Sequence, residues 1–280
     1  MNCLILGCGY LGRRVANRWL AQGHRVLAVT RRAETAAQFR QQGIEPIIAD
    51  VLRPEALGIL QPVETVLYAI GLDRTAGVSM RSVFVEGLAN VLDHLPPPGR
   101  FIYVSSSSVY GQTDGDWVDE DSPTEPQEEA GQIVLEAERL LRARLPEAII
   151  LRFAGIYGPG RLLRRKAIEA GEPIVGDADK WLNLIHIDDG ASAVLAAAEQ
   201  GQPGRIYNIC DGQPVRRREF YTELARCLRA PAPRFEASPS DRPPPPHERG
   251  NRRIRNQRMR EELGAALLYA NYVQGLRASV

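Results

Sequence analysis

The stretch Cys3-Leu4-Ile5-Leu6-Gly7-Cys8-Gly9-Tyr10-Leu11-Gly12-Arg13 decides the fold of this 280-residue chain. Cys3 to Leu6 is an apolar run of strand length. It runs into a Gly-x-Gly-x-x-Gly turn, and a helix-compatible stretch from Arg13 to Gln22 follows. Each glycine has its own task. Gly7 permits a tight turn, Gly9 lets backbone approach a pyrophosphate, and Gly12 lets the helix pack closely on the sheet. The helix start then presents free N–H groups and the positive end of its dipole to phosphate. Alone, the pattern is weak, because glycine turns also serve structure. With strand, helix and second strand in the right places, it predicts a nucleotide site built on Gly7, Gly9, Tyr10, Leu11 and Gly12.

Working outward, short apolar runs recur at Arg25–Val29, Pro46–Ala49, Thr65–Ala69, Phe101–Val104 and Ala148–Leu151. Longer stretches able to form helices separate them. Such runs read as parallel strands covered on both faces. The expected class is therefore α/β, a Rossmann-type doubly wound parallel sheet with a small C-terminal substrate lobe. Residues 1–152 would form the core and 153–280 mostly the lobe, with about 182–210 returning to the core. In the second half a basic helix is expected at about Leu162 to Glu169. A strand at Leu184–Ile187 and a helix from Asp188 to Glu199 follow. A further strand at Ile206–Cys210 and a helix from Arg217 to Leu228 come next. Pro243-Pro244-Pro245-Pro246 excludes helix or central strand there and reads as exposed loop.

The ends of the strands supply the remaining ligand candidates. The second strand leads into Thr30-Arg31-Arg32, where an acidic residue would have favoured the ribose hydroxyls of NAD. Two guanidiniums suit a 2′-phosphate instead, so NADP is expected ahead of NAD. The bland reading is that both arginines sit on a solvated loop. Asp50 and Val51 follow the third strand and are placed at the adenine. Ala69, Ile70 and Gly71 end the fourth and pass beneath the cofactor.

Composition narrows the partners. With 35 basic and 34 acidic residues, the formal charge is +1. That leaves no global field for nucleic acid or an anionic membrane. No apolar stretch approaches the ~20 residues a spanning helix needs. Four cysteines at Cys3, Cys8, Cys210 and Cys227 have neither metal-like spacing nor disulfide density, which fits a reducing, cytoplasmic setting. The histidines are scattered, so no metal site is expected. Only two of the basic residues are lysines, Lys166 and Lys180.

Further segments resemble a family. Val104-Ser105-Ser106-Ser107-Ser108-Val109-Tyr110-Gly111 follows the fifth strand, and Leu151-Arg152-Phe153-Ala154-Gly155-Ile156-Tyr157-Gly158-Pro159-Gly160 follows the sixth. His186-Ile187-Asp188-Asp189, Tyr207-Asn208-Ile209-Cys210 and Arg253-Ile254-Arg255-Asn256 come next. In order and spacing they resemble the extended short-chain dehydrogenase/reductase superfamily, in its NAD-dependent epimerase/dehydratase branch. The resemblance implies an NAD(P)-dependent oxidoreductase acting on a small, nucleotide-sugar-like substrate, with dimerisation known among relatives. It aligns Ser106 with the catalytic Ser or Thr. It also puts Tyr157, Arg161, His186 and Arg253 around a substrate cleft.

The family's Tyr-x-x-x-Lys does not carry over. Ala130 and Val134 stand at those positions, Leu162 and Gly176 lie four residues before the two lysines, and no such pair exists in the chain. This resembles atypical members that keep the fold and lose the pair. Tyr110 is then the candidate substitute acid, with packing as the competing role. His186 and Tyr157 have structural readings too. Asp188 is expected to cap the helix after it. Arg152, Arg161, Arg164, Arg165 and Lys166 are expected as a basic cluster at the cleft, and Glu136 and Glu138 on an exposed helix face. The missing pair also motivates a second expectation, a non-catalytic dinucleotide-binding sensor or partner module.

Overall fold

In the computed structural model, which describes residues 1–237 and 250–280, seven parallel strands make the central sheet. The Pro243–Pro246 run lies outside the described residues. The first five strands are β1 (Asn2–Leu6), β2 (Arg25–Thr30), β3 (Glu45–Ile48), β4 (Thr65–Tyr68) and β5 (Arg100–Ser106). Strands Ile149–Phe153 and Ile206–Ile209 complete it. Across the sheet the order is Ile206–Ile209, Ile149–Phe153, β5, β4, β1, β2, β3. β1 thus lies between β2 and β4, with Leu4 opposite Leu27 on one side and Val66 on the other. The direction of winding reverses there, and a crevice opens outside the carboxyl ends of the strands.

β1 shows why the opening run is continuously apolar. Successive strand side chains point to opposite faces. Cys3 and Ile5 join a core formed with α1 (Tyr10–Ala21) through Val15, Ala16 and Trp19, and with helix Ile187–Gln200 through Ala191 and Val194. Leu4 and Leu6 join the opposite core. There α3 (Gly87–His94) brings Leu88 and Val91, and α4 (Glu129–Arg144) brings Ala137 and Leu141. α2 (Ala33–Gln41) lies between β2 and β3 in the chain and turns Phe39 into the first core.

The second half divides its material. Strand Ile206–Ile209 extends the main sheet, while Gly155–Tyr157 pairs with Leu184–His186 outside it. Tyr157, Ile168, Phe220, Leu224 and Leu276 pack as a separate cluster, to which helix Arg217–Leu228 contributes. The expected basic helix is short, Arg165–Glu169, because Arg164 takes a left-handed conformation at φ 56° and breaks it from Leu162. Among the described residues, no helix is long and apolar enough to cross a membrane.

Candidate functional site

A cleft of about 580 Å³ lies at the carboxyl ends of β1, β2 and β4. Gly7, Gly9, Tyr10, Leu11, Arg31, Arg32, Asp50, Val51, Ala69, Ile70 and Gly71 all line it. Gly12 does not, for a geometric reason. A Cβ there would lie 2.6 Å from the carbonyl oxygen of Gly7, so Gly12 packs α1 onto the loop. Gly7 has φ +95°, and its Cβ would fall 2.4 Å from the Ala69 backbone. A Cβ on Gly9 would meet nothing within 4 Å, so the loop leaves open space where a ligand can approach. α1 starts at Tyr10, directly after Gly9, with no side-chain cap and no acid in its first turn. Its N–H groups and dipole therefore face the cleft unanswered by side chains, as an anion site requires. These features fit a dinucleotide.

At one end of the cleft, Arg31 and Arg32 reach a common carboxylate. Asp73 Oδ2 lies 3.7 Å from Arg31 Nη2 and 3.5 Å from Arg32 Nη2. Its other oxygen accepts from the Thr75 hydroxyl and backbone N–H, at 2.6 and 3.1 Å. The Thr75 hydroxyl first, then that N–H, holds the carboxyl below its usual range. Sequence reasoning missed Asp73. Its signal was position, two residues beyond Gly71 at the carboxyl end of β4. Asp50 Oδ1 accepts from the Leu52 N–H at 3.0 Å, which fixes its carboxylate in the cleft wall.

The serine-rich segment leaves β5 beside this cleft. Ser106 is half-buried, and its Oγ accepts from the Ser108 N–H at 3.2 Å. Its own O–H thus stays available to donate. Of the two roles expected for Tyr110, substitute acid and packing, its place in the core matches packing. It is 1% exposed; its hydroxyl donates to Asn208 Oδ1 at 2.8 Å and accepts from Arg152 Nη1 at 3.0 Å. Burial pushes its pKa up, against the nearby Arg152 guanidinium. A hydroxyl tied on both sides and closed off from the cleft is not placed to serve as the substitute acid.

The same network corrects two further expectations. Glu138 is 2% exposed rather than on a solvated face, whereas Glu136 is half-buried, with its side chain 43% exposed, and pairs with Arg81. Glu138 accepts from Arg152 Nη2 at 2.8 Å and from the Ser105 hydroxyl at 2.5 Å. Arg152 is therefore a buried structural cation, not part of a basic cluster at the cleft. Arg165 pairs with Glu169, and Arg161 alone of that group lines the glycine-loop cleft. On α4, Ala130 is exposed and Val134 packs with Val109 and Tyr110.

Of the residues expected around a substrate cleft, Tyr157 and His186 come together in the interior, while Arg161 and Arg253 stand elsewhere. Tyr157 is 1% exposed and packs edge-on to His186 and Phe220, with Gly275 against its hydroxyl. His186, also buried, caps helix Ile187–Gln200 by accepting from the Asp188 N–H at 3.2 Å. His186 thus takes the capping role expected of Asp188, which instead pairs with Arg14 at 3.0 Å. Burial lowers the His186 pKa, so the neutral ring that caps is the favoured form. Arg253 points outward between Trp117 and Trp181, at 4.9 and 5.3 Å. Strand alternation explains the miss: in the pair Arg253–Ile254, neighbours face opposite ways. Arg252 is the inward one. Its Nη2 donates to the Ser107 carbonyl at 2.9 Å, and it forms no ion pair among the described residues.

The NAD-dependent epimerase/dehydratase family matches residues 3–210 of the chain. Escherichia coli Protein YeeZ is 29% identical over 244 residues, covering 84% of this chain and 86% of that protein. The GDP-6-deoxy-D-mannose reductase of Pseudomonas aeruginosa is 28% identical over 205 residues, 63% of this chain and 67% of that one. A solved structure of a candidate NAD-dependent epimerase/dehydratase from Methylobacillus flagellatus is 35% identical. It superimposes with a TM-score of 0.75, over 98% of this chain and 95% of that one.

Proposed function

The chain belongs to the NAD-dependent epimerase/dehydratase family, and on that premise we propose that it is an NADP(H)-preferring reductase acting on a small, anionic, nucleotide-sugar-like substrate. One observation carries the cofactor preference. Arg31 and Arg32 line the glycine-loop cleft at the end of β2, where their guanidiniums can hold a 2′-phosphate. Asp73 is their resident counter-ion, and a phosphate would have to displace it.

The bound dinucleotide would supply hydride transfer. The chain's own residues bind and orient. Ser106 Oγ, fixed by the Ser108 N–H, donates to a substrate carbonyl or hydroxyl oxygen. Arg252 stands beside it, half-buried and without a carboxylate partner among the described residues, and it holds the substrate's negative charge. The name of the Pseudomonas aeruginosa relative supports a nucleotide-sugar class. Neither Ala130 nor Val134 can move a proton, so the donor is not the family's Tyr/Lys pair.

The test is calorimetric. Arg31→Ala with Arg32→Ala should weaken NADPH at least tenfold more than NADH. Equal losses would remove the preference, and a wild-type protein that binds neither dinucleotide would remove the reading. A second reading, a non-catalytic dinucleotide sensor, is favoured by the apolar Val134 and the tied Tyr110 hydroxyl. Substrate-dependent loss of label from hydride-labelled NADPH, abolished by Ser106→Ala, would decide for the enzyme.

A further inference from the structure

The cations of the cleft are not equivalent. Arg31 and Arg32 share Asp73. Arg161 lines the same cleft, solvent-facing, and forms no ion pair among the described residues. Its position is built rather than accidental. The loop before it is a Pro159-Gly160 turn closed by two backbone hydrogen bonds, Arg161 N–H to Gly158 O at 2.9 Å and Gly158 N–H to Arg161 O at 3.3 Å. Gly160 has φ +75°, which glycine adopts without strain.

Tyr10, the first residue of α1, fastens that turn. Its hydroxyl donates to the Pro159 carbonyl at 3.0 Å. A Cβ on Gly158 would lie 2.8 Å from the same hydroxyl, so glycine allows the close approach. Two guanidiniums then pack on the Tyr10 ring, Arg14 at 4.4 Å and Arg161 at 5.5 Å. Arg14 has its carboxylate, Asp188, at 3.0 Å. Arg161 has none among the described residues and packs on the first residue of the uncapped α1. A cation without a carboxylate among the described residues, beside unanswered N–H groups, favours an anion in the shared space.

We propose that Arg161, which the sequence places with the substrate residues, is a cofactor residue: it closes over the diphosphate bridge of the bound dinucleotide as a clamp supplied from beyond the sixth strand. This rests on the dinucleotide reading above. It makes the turn at 158–161, which Tyr10 already ties to α1, a part of the cofactor site.

Calorimetry on the full chain tests it with three ligands. NADPH and NADH contain the diphosphate bridge, and 2′-AMP lacks it while keeping the group that Arg31 and Arg32 would hold. Arg161→Gln should weaken NADPH and NADH alike, by about tenfold or more, as loss of a charge-assisted contact does. It should leave 2′-AMP within about twofold of wild type. Arg161→Lys should recover part of the loss, because a point charge still attracts phosphate. Unchanged dinucleotide affinity in Arg161→Gln would overturn the proposal. So would an equal loss of 2′-AMP, which would mean that the turn, not the charge, was damaged. A wild-type protein that binds no dinucleotide would strike the underlying function instead, and the clamp with it.

Discussion

Glu138 and Asp73 both face arginine, in opposite surroundings. Glu138 lies between α4 and the sheet, 2% exposed, against Arg152 at 2.8 Å. Asp73 lies at the mouth of the cleft with its side chain 34% exposed, against Arg31 and Arg32 at 3.7 and 3.5 Å. Coulomb's law is the same in both places, and the medium is not. Inside, removing one partner strands a buried charge, so the pair cannot be opened cheaply. At the mouth, water and salt screen the pair, which is worth ~0–1 kcal/mol. The first region is therefore fixed. The second is exchangeable, as the proposed binding of a 2′-phosphate by Arg31 and Arg32 requires.

Breaking each pair tests that contrast. Glu138→Ala should cost about 3–5 kcal/mol in denaturant unfolding, because Arg152 loses its only ion-pair partner among the described residues while Ser105 loses its acceptor. A cost below about 1 kcal/mol would show that Arg152 is solvated or finds another partner, and the contrast would fail.

Asp211 sharpens it as the third case, buried and without a cation among the described residues. It is 7% exposed, Oδ1 accepts from the Gln213 N–H at 2.9 Å, and Oδ2 has no hydrogen-bond partner among the described residues. Burial first, then the Asp189 charge, raises its pKa from 3.8 to about 7. Below the unfolded value the carboxyl is protonated in both states and costs nothing. As pH rises from about 4 towards 7, the unfolded chain releases a proton that the folded state keeps, so stability falls through that window, by at most ~4 kcal/mol. Asp211→Asn should flatten that part of the stability-against-pH curve. Parallel curves for the two proteins would show that the carboxyl is not held neutral.

The smallest expected effect belongs to Asp73→Asn. The amide oxygen can still accept from Thr75, so stability should change by less than about 0.5 kcal/mol. NADPH affinity should rise about two- to fivefold, since the arginines no longer have a competing carboxylate, and NADH affinity should not follow it. A fall in NADPH affinity would mean that Asp73 positions the arginines rather than competes for them.

Much of the lining of the glycine-loop cleft was legible because it depends on local properties. Gly7 and Gly12 are required where backbone passes within van der Waals range, and the strand-turn-helix order shows that without coordinates. Arg31 and Arg32 follow from their place after β2. Asp73 was not legible as their counter-ion, because it comes from another strand end and only folding brings the two loops together. Glu138 reads as one more charge on an amphipathic helix. Its burial depends on Arg152, which lies fourteen positions further along the chain.

The lobe was the least legible part. Arg252 and Arg253 are adjacent and chemically identical, so composition cannot choose between them. Arg253 opens a two-residue strand and lies between two indoles, while Arg252, just before that strand, reaches Ser107. Tyr110, Tyr157 and His186 have side chains capable of chemistry, and the fold uses them for packing and capping instead.

The sequence by itself determined the doubly wound sheet, the glycine loop and the missing Tyr-x-x-x-Lys, because periodicity and residue identity are properties of the chain alone. Only the tertiary structure decided which charges are free. It gave Arg152 to Glu138, Arg14 to Asp188, and Arg31 and Arg32 to Asp73, and it left Arg161 and Arg252 without a carboxylate among the described residues. The physical reason is range: a turn or strand is set by neighbours in sequence, whereas a charge is set by whatever stands within a few ångströms in space.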